Sequence, residues 1–94
     1  MMIQNYSFRR SELETECDIL LAIDQGSNKL THVMYSANLS WTVMREKLDK
    51  LEQLGFIEER LCPEGMSRKK LFLTEKGRTV LGEYLDLRRG LGID

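Results

Sequence analysis

The chain is poor in the residues that most often carry chemistry. Of its 94 residues one is a proline, one a tryptophan, one a histidine (His32) and two are cysteines. The lone imidazole has no partner nearby in sequence, and no glycine-rich loop is built to cradle a phosphate. No Cys, His and Asp are spaced for nucleophilic work, so an enzyme is not expected. Cys17 and Cys62 belong to no CxxC or His/Cys cluster, which argues against a structural zinc site. They read as a buried helical thiol and a loop thiol, both reduced, with a disulfide left open until geometry is known. No cofactor is expected. Long apolar runs are missing as well, none approaching the roughly 20 residues that span a bilayer. The opening MMIQNYSFRRSE lacks the basic-then-apolar order of a signal peptide, so the expectation is a cytoplasmic protein. Excess positive charge is also absent: the formal net charge is −1, unlike domains that coat nucleic acid by bulk electrostatics.

What is present is a small globular domain, 41% hydrophobic and 31% charged, without repeat, low-complexity tract or linker. Residues 1–10 form an arm or an edge strand, with Ile3, Tyr6 and Phe8 in loose alternation. A three-helix core is expected over 11–55. Ser11 and Glu14 have capping-box spacing, Leu13, Cys17 and Leu20 share a face flanked by Ile19, Leu21 and Ile23, and Gly26 ends the first helix. Ser27 or Asn28 can cap a short second helix with the stripe Leu30, Val33, Met34 and Ala37. After a turn at Asn38-Leu39, Ser40 caps a third helix whose core stripe is Met44, Leu48, Leu51 and Leu54, stopped at Gly55. Residues 56–73 read as a hairpin, FIEERL and KLFL joined by a tip containing Pro63 and Gly65. Thr74 then caps a final helix over 74–92, with Gly77 and Gly82 inside it, each costing roughly 1 kcal/mol against alanine. Two short helices joined by a tight turn and followed by a hairpin describe an α+β, mostly α, winged helix-turn-helix.

The stretches RRSELETECDILLAIDQG, THVMYSANLSW, LDKLEQLGFIEE and LFLTEKGRTVL resemble archaeal winged-helix proteins of the Sso10a type and related transcriptional regulators. ANLS and LTEKG are the more family-specific pieces. The resemblance covers most of the chain after Arg9. It implies double-stranded DNA as the partner and a last helix that dimerises. In this chain that helix closes at Gly90-Leu91-Gly92.

If the third helix (residues 40–54) enters the major groove, its N-terminal half does the reading. Thr42, Glu46, Asp49 and Gln53 lie opposite the core stripe, and Trp41 and Arg45 flank that face. Arg45 can fork a guanine edge, Thr42 can bond a base or phosphate, and Trp41 can pack on a thymine methyl or a sugar. Trp41 can equally lie against the preceding helix or the wing. Ser40 and Lys29 complete the set on the helices. Glu46 and Asp49 are awkward, since carboxylates repel phosphates, though one can accept from cytosine N4. Five basic residues, Arg68, Lys69, Lys70, Lys76 and Arg78, cluster around a single acid, Glu75. Of these, Arg68, Lys69 and Lys70 place a basic tip at wing residues 62–70, either on the DNA backbone or simply solvated. In the last helix Leu81 and Leu85 suffice to dock it on its own domain, while Val80, Tyr84, Leu87 and Leu91 form a neighbouring stripe suited to a homodimer. The N-terminal arm folding back over that stripe is the alternative. The leading reading is thus a sequence-selective DNA-binding regulator, with neither membrane nor small-molecule ligand indicated. The competing one is a winged-helix module that binds protein, favoured by the near-neutral charge and the acids on the third helix.

Overall fold

Hydroxyl side chains open three of the four helices. The computed structural model describes residues 11–27, 29–61 and 69–92, arranged as α1 (Glu12–Asp24), α2 (Leu30–Ser36), α3 (Trp41–Gln53), β1 (Ile57–Leu61), β2 (Lys69–Leu73) and α4 (Glu75–Gly90). Ser11, Ser40 and Thr74 each accept a hydrogen bond from the backbone N–H three residues on, satisfying donors that a helix start leaves open. At Ser11 the box is complete, because the Glu14 carboxylate accepts from the Ser11 N–H at 3.2 Å. The second helix departs from expectation. It begins at Leu30, and its N-cap, Lys29, makes no side-chain capping bond. Ser27 stands too far ahead of that start to cap it, and its hydroxyl is 3.1 Å from the Ser36 hydroxyl instead. Asn28, the other expected cap, lies outside the described residues, as do the N-terminal arm 1–10 and the hairpin tip 62–68 with Cys62 and Arg68.

Each helix contributes one face to a single core. Ile19, Leu20 and Ile23 of α1 meet Val33 and Ala37 around α2, Met44, Leu48 and Leu51 of α3, and Leu81 of α4. Ile57, Leu71 and Leu73 close this core from the hairpin. Two expected core residues are not in it. Leu54, the C-cap of α3, is 43% exposed, and Leu13 points to solvent from the first turns of α1. Asn38 takes up the left-handed conformation (φ 56°) that lets the chain turn from α2 into α3, a region its short polar side chain tolerates. The strands pair antiparallel, Ile57 opposite Leu73, Glu59 opposite Leu71 and Arg60 opposite Lys70. Residues directly opposite share a face, so Ile57, Glu59, Leu71 and Leu73 face inward while Glu58, Arg60, Lys70 and Phe72 face outward.

The junction between α3, the hairpin and α4 is knitted by the LTEKG segment. The Thr74 hydroxyl donates to the Gly55 carbonyl at 2.6 Å and also accepts from the Gly77 N–H at 3.0 Å. The Thr74 N–H donates to the Phe56 carbonyl at 3.0 Å. Lys76 donates to the Leu54 carbonyl at 2.9 Å, satisfying an open acceptor at the end of α3, and its ammonium lies 5.2 Å from the Phe56 ring centroid. Gly77 was expected only to weaken the last helix. The structure gives it a positive reason, since a Cβ there would overlap the Phe56 carbonyl.

Candidate nucleic-acid interface

The core stripe of α3 leaves Ser40, Trp41, Thr42, Glu46 and Asp49 in water, with Trp41 50% exposed. Trp41 is therefore not sealed against the preceding helix. The Ser40 oxygen is already used as acceptor by the Val43 N–H at 3.3 Å, which leaves its own O–H as the group able to donate outward. Lys29 sits half-buried at the start of α2, on the same two-helix unit.

All three basic side chains of α3 are met by carboxylates. Arg45 Nη2 is 3.3 Å from Asp49 Oδ1, one turn along the helix, and 3.9 Å from Glu59 Oε1 on β1. Lys47 donates to Glu12 at 2.9 Å and to Glu16 at 3.3 Å, and Lys50 donates to Glu16 at 2.7 Å. The last three bonds tie α3 to α1. The Lys47 hydrogen bond holds the Glu12 carboxyl below its ordinary range, and Glu12 in turn raises the Lys47 ammonium. The two lysines thus serve the helix–helix contact, and the exposed start of α3 carries its charge in Glu46, Asp49 and a partly neutralised Arg45.

The hairpin also carries basic side chains on its outer face. Arg60 stands directly opposite Lys70 on the outer face, a like-charge pairing that costs a sheet stability. Its guanidinium carbon lies 4.5 Å from the Phe72 ring centroid, and its Nε donates to Glu58 at 2.7 Å, so the planar group is held in place over the strand. Lys69 opens β2 opposite Leu61, with its side chain outside the described set, as is Arg68.

Four residues near this surface were not picked out from sequence: Tyr35, Glu59, Arg60 and Leu61. Tyr35 is the most exposed large hydrophobic side chain described, at 76%, and the α2 stripe Leu30-Val33-Met34-Ala37 would have placed it outward. Arg60 could have been found by parity, three residues after the inward Ile57. Leu61, also exposed, and Glu59 lie on the face of β1 that turns toward α3.

The winged helix-turn-helix family profile matches residues 9–91. The chain belongs to the winged helix-turn-helix family. Its hairpin is accordingly the wing, and α2 and α3 are the helix-turn-helix. The protein MJ0287 of Methanocaldococcus jannaschii is 31% identical over 84 residues, covering 89% of this chain and 79% of that protein. Sso10a-2, a DNA-binding protein from Sulfolobus solfataricus, superposes with a TM-score of 0.66 at 29% identity, over 87% of this chain and 85% of Sso10a-2. The transcriptional regulator BldR from the same organism shares the fold, with a TM-score of 0.73 at 22% identity over 82% of this chain. This winged helix spans only 55% of BldR. The Sso10a-type resemblance in the sequence therefore holds at the level of family and fold.

In α4 the two expected stripes overlap at one residue. Leu81 is buried and Leu85 packs on the core, as expected for docking, and Val80, expected at a partner, is half-buried and packs against the core as well. Tyr84 is half-buried, and its hydroxyl accepts from Arg88 at 3.0 Å. Leu87 and Leu91, one turn apart, remain 58% and 66% exposed. No helix among the described residues is long and apolar enough to cross a membrane.

Proposed function

We propose that this winged helix is a transcriptional regulator that binds double-stranded DNA sequence-selectively, with α3 in the major groove and the wing on the backbone. The observation that carries the reading is the solvent-facing start of α3, where Ser40, Trp41, Thr42 and Arg45 stand together on a helix whose opposite face is core. In helix-turn-helix proteins this half of the second helix meets base edges. The kinship with Sso10a-2, itself a DNA-binding protein, adds weight. Arg45 forks a guanine, Thr42 and Ser40 bond a base or phosphate, and Trp41 packs on a thymine methyl or deoxyribose. Attraction to the backbone comes from Lys29 and from Arg60, Arg68, Lys69 and Lys70 of the wing. Tyr35, at the end of the helix that crosses the backbone, adds a neutral phenol donor to phosphate.

The regulator acts as a homodimer joined through the exposed Leu87–Leu91 face of α4, with Tyr84 at its edge. Two-fold pairing sets half-sites about 34–36 Å apart on one side of the duplex. A protein-binding role remains the second reading, supported by the carboxylates around every basic group of α3. Binding-site selection from random duplexes, followed by titration against salt, separates the two. A DNA-reading domain yields a selected motif and a log–log salt slope of about −0.9 per phosphate neutralised. Absence of both would leave the protein-binding role. Within the selected motif, Arg45→Ala should cost about 1–3 kcal/mol and relax the preference at one base.

A further inference from the structure

Glu59 is a carboxylate on the wrong side of the hairpin. It stands opposite Leu71 on the inward face that Ile57 and Leu73 also share, and its side chain is only 14% exposed. An apolar residue there would serve the core better, because a partly desolvated carboxylate is costly unless it is paired. Its partner is Arg45, the only arginine of α3, whose Nη2 it approaches at 3.9 Å while Asp49 holds the same nitrogen at 3.3 Å. One carboxylate comes from the helix itself, in a hydrogen bond, and one from the wing strand, in a longer ion pair, so the guanidinium is flanked from two elements at once. A surface arginine without such partners follows the nearest phosphate, whereas a fork aimed at a guanine edge has to be held in one orientation. The pair of acids also removes the net positive charge at this point, which lowers the attraction for phosphate and leaves directional hydrogen bonding as what Arg45 can offer.

We propose that Glu59 is a positioning residue for base recognition: together with Asp49 it holds the Arg45 guanidinium to fork a guanine edge in the major groove and keeps it off the phosphate backbone. The proposal rests on the DNA-reading function above. It also couples the wing to the reading helix, since β1 carries the carboxylate that orients a side chain of α3.

The test uses the full-length protein and random-duplex selection on wild type, Arg45→Ala, Glu59→Gln and Glu59→Met, with affinity for an unrelated duplex measured in parallel. In the wild type one guanine preference should depend on Arg45. In both Glu59 variants that preference should fall roughly fivefold or more, while preference at other positions stays and affinity for the unrelated duplex is equal or higher. Thermal unfolding should show the methionine variant at least as stable as wild type, which separates orientation from folding. A uniform gain across all sequences with the guanine preference intact would overturn the proposal, because Glu59 would then be only a repelling charge. A motif whose guanine is indifferent to Arg45→Ala would remove Arg45 as reader and Glu59 with it. No motif at all would instead refute the DNA-reading function itself.

Discussion

Replacing Gly77 by alanine sets two physical effects against each other at one position. A glycine inside a helix costs roughly 1 kcal/mol relative to alanine, so propensity alone says that Gly77→Ala stabilises. The structure says the reverse. A Cβ on Gly77 would overlap the Phe56 carbonyl oxygen and sit 2.9 Å from its carbonyl carbon and 3.2 Å from its Cα. These are backbone atoms, and that carbonyl also accepts the Thr74 N–H at 3.0 Å, so relieving the overlap weakens a hydrogen bond. Overpacking of this kind costs about 1–3 kcal/mol and the weakened hydrogen bond about 1 more, leaving a net loss of roughly 1–3 kcal/mol after the propensity gain. Gly82, five residues on in the same helix, is the control. Nothing lies within 4 Å of where its Cβ would be, so Gly82→Ala should stabilise by about 1 kcal/mol. Since 1 kcal/mol moves Tm by about 4–8 °C in a domain of this size, the two variants should melt on opposite sides of wild type. Calorimetry and urea titration at one fixed protein concentration make the comparison. Two alanines that stabilise alike would refute the close approach of α4 to Phe56.

Neutralising Lys69 and Lys70 together should weaken specific and non-specific duplexes about equally and flatten the salt slope by roughly 0.9 for each phosphate no longer neutralised; an unchanged slope would make them a solvated end of the wing. Leu87→Glu should give a folded monomer with much weaker operator binding, because a carboxylate buried in the seam is costly. Sedimentation of wild type at micromolar concentration decides that point, and a clean monomer there refutes the dimer. Burial, with the nearby Glu16 and Asp18 carboxylates adding to it, pushes the Cys17 thiol up to about 11. In the unfolded chain the thiol ionises near its ordinary value of about 8.5, so the folded state binds this proton more tightly. Its contribution is complete below that value and is lost as the pH climbs toward the folded one. Urea unfolding at several pH values should show wild-type stability falling across this alkaline window more steeply than that of Cys17→Ala, which has no thiol to ionise.

Three helix starts were readable because capping is local: a hydroxyl and the N–H it binds are three residues apart in the chain, as at Ser11, Ser40 and Thr74, whereas the N-cap of α2, Lys29, makes no side-chain capping bond. The core stripes of α1 and α3 were readable for the same reason, apart from the end residues Leu13 and Leu54, where periodicity continues after the packing has stopped. Contacts that depend on how elements meet were not. The demand for glycine at position 77 comes from Phe56, more than twenty residues earlier, and nothing in TEKGRTV announces it. The same holds for Glu59, whose inward place follows from the strand register and whose partner on α3 depends on how the strand lies along the helix. Lys47 and Lys50 look like free cations in sequence and are occupied by acids of α1. In α4 a wide apolar arc could not say which side chains its own domain would cover, and Val80, placed in the partner stripe, also packs partly against the core.

The bonds that Thr74 and Lys76 make to Gly55, Phe56 and Leu54 have a mechanical consequence. They fasten the tail of α3, both roots of the wing and the first turn of α4 together at one corner. If α4 pairs with a second copy, as proposed above, a shift of α4 would reach α3 through this same corner. Partner geometry and groove geometry would then be linked. In the proposed dimer, a change of a few degrees between the two copies at Leu87 and Leu91 would be read on the duplex as a change in the separation of its half-sites.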